Sequence, residues 1–373
     1  MKFSIGRQDL EKAIQRVLAV VSPKTTLPVL ANFLLEAEPK SKSITLTATD
    51  LDMTVTTGIE AEVDAGGSVT LPAKRFAEIV RELGTDTVEL SAEGEEISIQ
   101  SGKSRFKIMG IPTEEFPTLP KSDPASAFSV DAGMLGRMVE KVSFCTSKDE
   151  TRPSLNGAYW EFGADSMGMT ATDGHRLATF RVKGEFKPLA GKTMIVPPKA
   201  LSHVVRIISS EDQEAVKVSV KENHVAFFIG STVINSRLLE GPFPNYKQVI
   251  PSDNEKELVV GRSDLVGAVR RVAVLADVMT HQVRLTLTKK KVQLVVSTPD
   301  VGEAKEEISG AFSSDKLEVG YNANYLLEVL KHIEGDDVLF LLGSPVGAAV
   351  VKAADEAEDE EYMCLLMPLR LNA

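Results

Sequence analysis

LPAKRFAEIVREL at Leu71–Leu83, VPPKALSHVVRII at Val196–Ile208 and NANYLLEVLKHIE at Asn322–Glu334 are three versions of one element. Phe76, Ile79, Val80 and Leu83 recur as Leu201, Val204, Val205 and Ile208, then as Leu326, Val329, Leu330 and Ile333. Apolar residues at i, i+3, i+4 and i+7 mark one face of an α-helix. Phe76 to Leu201 is a step of 125 residues, and Leu201 to Leu326 is the same step again. Three amphipathic helices at one fixed interval are a repeat, and a repeat of this length is domain-sized. Pro72 and Pro197 stand just before two of the helices, where a missing N–H costs nothing.

Upstream of each lies an earlier helical pattern. FSIGRQDLEKAIQRVLAVV begins at Phe3, FSVDAGMLGRMVEKVSFC at Phe128 and LVVGRSDLVGAVRRVAVLA at Leu258. Each opens on a short apolar stretch and continues with helical spacing: Leu10, Ile14, Val17 and Val21; Leu135, Val139 and Val142; Leu265, Val269, Val272 and Ala276. Alternating stretches fill the intervals, for instance Ile44, Leu46 and Ala48, or Val283, Leu285 and Leu287. Hairpin patterns follow, turning at Glu93-Gly94 and at Glu222-Asn223. TATD occurs at Thr47–Asp50 and again at Thr170–Asp173, and Phe116-Pro117 returns as Phe243-Pro244. The expected fold is α+β: three domains at 1–121, 127–251 and 255–373, each with two helices packed on antiparallel sheets. The proline-rich stretches 117–124 and 242–251 read as linkers.

The 373 residues are 43% hydrophobic and 25% charged, enough apolar matter for several cores, which sets disorder and fibrous structure aside. Two cysteines, Cys145 and Cys364, are too few for a disulfide framework or a four-thiolate zinc site and read as buried, reduced thiols. The opening MKFSIGRQDLEK carries charge where a secretory leader would be apolar. The longest uncharged segment, Val338–Val351, is broken by Gly343 and Pro345 and falls short of the roughly 20 residues of a membrane helix. A cytoplasmic location is the expectation.

The formal charge is −11, which argues against nucleic acid unless the cations are gathered. They are. In the first helices a basic residue stands six after the first anchor: Arg16, Lys141 and Arg271. In the second helices one stands five after it: Arg81, Arg206 and Lys331. At 100° per residue these positions lie away from the apolar stripe. The six helical segments together carry +4, so the rest of the chain carries about −15. Set side by side, such helices form a basic wall that attracts phosphates without reading bases, inside an acidic exterior. Aromatic residues are only 6%, which disfavours stacking on single strands and fits a duplex backbone.

Four stretches then carry a resemblance over the whole chain: KTTLPVLANFLLE at Lys24–Glu36, TATDGHRLA at Thr170–Ala178, GPFPNYKQVIP at Gly241–Pro251 and MPLRL at Met367–Leu371. With the triple repeat, the sequence resembles the bacterial sliding-clamp family, the beta subunits of DNA polymerase III. The resemblance implies a non-catalytic processivity factor without cofactor or metal. It implies a head-to-tail homodimer in which each chain forms half of a closed ring, with twelve helices around duplex DNA bound irrespective of sequence. The implied partners are the polymerase III alpha subunit, the clamp loader delta subunit and other proteins bearing a clamp-binding motif. Candidate phosphate contacts are Lys24, Arg75, Arg81, Arg137, Lys141, Lys148, Lys199, Arg206, Arg270 and Arg271. The family's peptide pocket maps onto Arg152, Leu155, Thr172, Gly174, His175, Arg176 and Leu177. Later in the chain it maps onto Pro244, Val249, Asn322, Tyr325, Val346, Met367, Pro368, Leu369 and Arg370. Leu, Val, Pro and Met suit an apolar groove, and Arg and His at a rim suit polar peptide atoms. Pro153, Ser154 and Gln248 depart from the pattern, where familiar members carry two tyrosines and often an arginine. The acidic run Asp355–Glu361 reads as a lengthened surface loop.

Other chemistry fares worse. Asp173 and His175 could form an acid–base pair, but no Ser, Cys or second His stands in a nucleophile setting. Gly184–Thr193 imitates a phosphate loop with six residues between its glycines where four are needed. His175, His203, His224, His281 and His332 lack metal-ligand spacing.

Overall fold

The computed structural model describes residues 1–373 except 23–24, 121, 187–188, 212, 356–358 and 372–373. Among the described residues the six expected helices form: α1 Arg7–Leu18, α2 Ala73–Glu82, α3 Ala132–Ser143, α4 Pro198–Ser210, α5 Arg262–Ala273 and α6 Ala323–His332. Asn322 starts α6, its side-chain oxygen accepting from the N–H of Asn324 at 2.9 Å and of Tyr325 at 3.2 Å.

The chain divides into two compact units, 1–136 with 199–238 and 137–198 with 239–373. The middle repeat contributes to both. In the first unit a five-stranded antiparallel sheet runs in the order Glu62–Ala65, Lys2–Gly6, Thr87–Glu93, Glu96–Ser101, Ser104–Met109. An eight-stranded sheet runs Phe128–Asp131, Ala215–Lys221, His224–Ile229, Thr232–Arg237, Met53–Glu60, Ser43–Thr49, Asn32–Glu38, Gly67–Pro72. Its seam joins two repeats, with Thr232 opposite Thr57 and Ser236 opposite Met53. Leu10, Ala13, Ile14 and Val17 of α1 and Ala73, Phe76 and Val80 of α2 are buried, and α1 lies against α2 and the 43–49 and 53–60 strands.

In the second unit a nine-stranded sheet runs Thr193–Val196, Ala158–Phe162, Ser166–Thr172, Arg176–Lys183, Glu360–Leu366, Ala349–Ala353, Asp337–Leu342, Lys256–Gly261, Ala311–Phe312. Here too two repeats share one sheet, Arg176 facing Leu366 and Val182 facing Glu360. A four-stranded sheet runs Gly302–Ser309, Lys291–Thr298, Gln282–Thr288, Lys316–Asn322. Leu265, Ala268, Val269 and Val272 of α5 and Leu326, Val329 and Leu330 of α6 supply the helical side of its core. The uncharged Val338–Val351 segment is a hairpin of this unit. Among the described residues no helix is long and apolar enough to cross a membrane. Cys145 and Cys364 are free and buried.

The linker reading of the proline-rich stretches needs correction, because both are strapped to sheets. Leu119 packs against Val29, Leu30, Leu34 and Phe116, and the Ser122 hydroxyl donates to the side-chain oxygen of Asn235 in the Thr232–Arg237 strand. Tyr246 packs with Leu177, Val350 and Leu365, with Phe243 and Ile250 beside it. Aromatic and branched side chains inside these stretches find apolar sheet faces, which outweighs the prolines' preference for open chain.

Candidate functional site

In the first unit, Arg75 and Arg81 stand exposed on α2, Arg81 paired with Glu82 at 3.2 Å. Lys199 at the start of α4 pairs with Asp50. Arg206 donates at 3.2 Å to the carbonyl of Arg16, in the last turn of α1. His203 Nε2 approaches the same carbonyl at 2.7 Å. A carbonyl only accepts, so Nε2 carries the hydrogen and Nδ1, 3.2 Å from Arg206 Nη2, accepts. Two donors thus satisfy a helix-end carbonyl that α1 leaves open. Beside them Lys12, Gln15, Arg16 and Arg206 line a cavity of about 480 Å³. Lys12 and Arg16 stand outside the expected phosphate contacts; Lys12 is exposed, whereas Arg16 is half-buried and holds Glu211 at 3.1 Å.

Burial, and next the Arg206 charge, push the His203 imidazole down to about 4, against the smaller opposing effect of its bond to Arg16. The unfolded chain binds a proton near pH 6.5 and the native chain does not, so stability falls as pH drops from 6.5 toward 4. About 2 kcal/mol should be lost between pH 7 and pH 5. Urea titrations at both pH values should show this loss, and the His203→Gln variant, which keeps a donor but does not titrate, should lose about 2 kcal/mol less.

In the second unit, Arg137 donates to Glu360 at 2.6 Å and Glu334 at 3.3 Å, and Arg271 holds Glu306 at 2.8 and 3.2 Å. Lys148 and Arg270 are exposed. Exposed pairs of this kind are screened by solvent and salt and can exchange a carboxylate for a phosphate. Lys141 differs. It is 7% exposed, donates to the His332 carbonyl at 2.6 Å, meets Glu334 at 2.9 Å and lies 4.8 Å from the Tyr362 ring centroid. The expected outward position is taken over by the end of α6, so Lys141 braces α3 instead of standing as a surface cation. Lys24 lies outside the described residues, as does the 356–358 part of the acidic run.

The sixteen predicted pocket residues all fall in the second unit, and a bonded turn gathers many of them. Thr172 Oγ1 donates to the Arg176 carbonyl at 2.7 Å and accepts from Gly174 N at 3.1 Å. Gly174 takes φ +90°, and a Cβ there would sit 3.2 Å from Arg152 Nη1. Arg152 Nη2 donates to the Asp173 carbonyl at 3.4 Å. Met367 N donates to the His175 carbonyl at 2.9 Å, bringing the C-terminal MPLRL to the turn. The His175 ring stacks on Tyr325 at 6.0 Å, and Leu369 bridges to Gly320. Val249, Val346 and Met367 are 58%, 66% and 45% exposed, among the large apolar side chains left open to solvent. Thr172, Asn322, Tyr325, Pro368 and Leu369 are half-buried, Pro244 and Arg370 exposed, and Leu155 and Leu177 buried. Pro153 opens the short helical turn Pro153–Leu155, Ser154 is half-buried and Gln248 is exposed.

Arg176 corrects the expectation of a rim donor. It is 7% exposed. Nε pairs with Asp173 at 3.2 Å, Nη1 with Glu328, and Nη2 donates to the Phe144 carbonyl at 2.8 Å. The guanidinium lies 4.6 Å from the Tyr325 ring centroid and 5.3 Å from that of Phe144. Asp173 also accepts the N–H groups of His175 and Arg176 at 2.9 and 3.0 Å, so its carboxylate holds the turn instead of serving a base. Among the described residues no cluster of His, Cys, Asp or Glu could hold a metal.

The other wall was only partly foreseen. Leu177 faces Leu365, which faces Val350, which faces Leu341, making an apolar row across four strands. Tyr246 covers this row and donates to Glu161 at 2.5 Å, while Arg181 bonds Glu161 and Lys247 reaches it at 3.2 Å. That half-buried carboxylate fixes the segment carrying Pro244 and Val249. Burial resists its ionisation, but the Tyr246 hydroxyl, Arg181 and Lys247 together hold it below the usual range. Leu365, Val350, Glu161 and Tyr246 belong to no motif. Their only advance signal is alternation within strands. An adjoining cavity of about 510 Å³, with Ile250, Leu341, Val350 and Met363 among its lining, lies beyond the predicted set.

Three family models match in succession. They are the DNA polymerase III beta subunit N-terminal domain at residues 1–120, central domain at 129–245 and C-terminal domain at 247–370. A beta sliding clamp of Pseudomonas aeruginosa is 32% identical over 372 residues and one of Caulobacter vibrioides 35% over 379, each covering 100% of both chains. Among solved structures, a sliding clamp of Bartonella birtlesii bound to griselimycin matches with TM-score 0.94 at 32% identity. One of P. aeruginosa, also bound to griselimycin, matches with TM-score 0.92 at 30%, both over 100% of each chain.

Proposed function

The chain belongs to the DNA polymerase III beta subunit family, the sliding clamps, and from this premise we propose how its residues perform the task of a processivity factor. Two copies join head to tail and encircle duplex DNA. The three repeats, 1–121, 127–251 and 255–373, act as the clamp domains of each copy. The exposed cations on the helices, with Lys12 added to the predicted set, touch phosphates and read no sequence. Such contacts alone are weak and fall steeply with salt. Retention therefore comes from closure of the ring, and mobility from the absence of base contacts. The second-unit pocket takes short apolar peptides from the polymerase alpha subunit, the clamp loader delta subunit and other motif-bearing proteins, so a polymerase that lets go of DNA stays tethered. The protein performs no catalysis itself and works in the cytoplasm.

The observation that carries this reading is the succession of three family matches along 1–370. Its experiment is topological. Loaded onto a nicked circular plasmid, the protein should co-elute with DNA through a sizing column at a salt concentration that abolishes binding to a linear fragment. Cutting the loaded plasmid once should release it. Persistence on the cut product would show that contact strength, not enclosure, holds the DNA.

A further inference from the structure

Among the described residues no large apolar side chain is more exposed than Met279, at 85%, and its neighbour Val278 is 78% exposed. Neither belongs to a motif or to the predicted pocket. Surface methionine and valine are ordinary when scattered and mobile. These two are adjacent and held still. Asp277 Oδ1 accepts from Met279 N at 3.0 Å, Thr280 N at 2.9 Å and Thr280 Oγ1 at 3.1 Å. His281 N donates to the Asp277 carbonyl at 2.8 Å, and His281 closes the turn at φ +48°. The turn is tied to the peptide pocket on its far side. Asn322 Nδ2 donates to the Thr280 carbonyl at 3.1 Å, and Ala323 N to that of His281 at 2.8 Å. Asn322 in turn caps the helix that carries Tyr325.

We propose that Val278 and Met279 form an apolar outer lobe of the peptide pocket, which receives an apolar residue flanking the core motif of a partner peptide. The inference rests on the pocket reading above and deepens it. Continuity selects this occupant, because the turn shares hydrogen bonds with a pocket residue. A core motif seated near Tyr325 would send one of its ends toward Asn322. A rigid turn presents the two side chains without an ordering cost on binding. Methionine adapts to aliphatic and aromatic residues alike, so the lobe ranks partners by the polarity of their flank.

Labelled griselimycin serves as the pocket tracer. The competitors are an apolar pentapeptide rich in leucine and phenylalanine that displaces the tracer, and the same peptide lengthened by three residues at either end, leucine-bearing or all serine. The leucine-bearing extension should compete roughly tenfold better than the serine one at one end of the peptide. The double variant Val278→Ser with Met279→Ser should lose that preference while its affinities for griselimycin and for the pentapeptide stay unchanged. Equal competition by the two extensions on the native chain, or a preference that survives in the variant, overturns the inference and leaves the pocket standing. A variant whose mass in solution falls to one chain also overturns it, because the two residues would then belong to a contact between copies. If the native chain does not bind griselimycin, the pocket reading falls and takes the lobe with it.

Discussion

Replacing Arg176 with methionine should lower the unfolding temperature of the unit that contains it by about 6–12 °C. The guanidinium is buried and meets three partners from different elements: Asp173 in its own turn, Glu328 on α6 and the carbonyl of Phe144 just beyond α3. Methionine fills the space but leaves Asp173, whose side chain is 14% exposed, without its counter-charge. Breaking a buried pair by removing one partner costs about 3–5 kcal/mol. Glu328 is 51% exposed and recovers water, which places the loss near the lower end, about 3 kcal/mol. For a unit of roughly 200 residues each kcal/mol is worth about 2–4 °C. Lysine at 176 should rescue little, since an ammonium cannot reach three partners from one stem. The apolar pentapeptide proposed for the pocket should bind roughly tenfold more weakly well below the melting point, because the turn that Arg176 anchors offers the His175 carbonyl to Met367. Scanning calorimetry and a binding titration on the same samples check both statements. Unchanged melting would mean the buried network adds no stability, and unchanged binding would mean the turn does not shape the pocket.

Arg176 was named from the sequence as a pocket residue, but its anchoring role was not legible there. Its type suggests a rim donor, and nothing local contradicts that, because the groups that bury it come from Phe144 and Glu328, 32 and 152 residues away. The same holds for Lys141. The helical wheel places it opposite Val139 and Val142 correctly, but a wheel knows only its own helix, and the last turn of α6 covers that side. By contrast Phe76, Leu201 and Leu326 were readable because burial of a helix stripe depends on the spacing of that helix alone. Strand alternation was readable for the same reason. The choice of partner strand was not. Thr232–Arg237 would show the same alternation whether it paired within its own repeat or, as it does, with Met53–Glu60 of another. Repeats were therefore visible and shared sheets were not. The TATDGHRLA turn and the C-terminal MPLRL, which the structure brings together, were legible because the chain itself is unusual there. The sequence was silent where ordinary leucine and valine on neighbouring strands complete the wall.

On the proposed head-to-tail dimer, Phe106→Asp should convert an assembly of about twice 40.4 kDa into a single chain of 40.4 kDa and abolish retention on circular DNA. The Ser104–Met109 strand is the outer edge of the five-stranded sheet, so one row of its backbone N–H and C=O groups has no strand partner in the sheet. Ile99 faces Phe106 and Ile97 faces Ile108, so the buried face of the sheet continues past the edge onto a phenylalanine that is 37% exposed. Lys103, Arg105 and Lys107 make this edge basic. The Gly302–Ser309 strand is the outer edge of the four-stranded sheet and carries Glu303, Glu306 and Glu307 against the single Lys305. A basic open edge on one protomer and an acidic open edge on its partner can pair by strand addition, and a head-to-tail arrangement closes when each copy supplies one of each. Aspartate at 106 replaces an apolar anchor with a charge facing acidic neighbours. The loss is about 2 kcal/mol at each junction, and closure requires two junctions, so the dissociation constant rises roughly a thousandfold. The fold should survive, since the residue lies on an edge strand with open surface. Sedimentation equilibrium and far-UV circular dichroism separate the two effects. A variant that keeps dimer mass would show that the ring closes through some other surface, and one that becomes a single chain yet stays on the plasmid would show that enclosure was never what held the DNA.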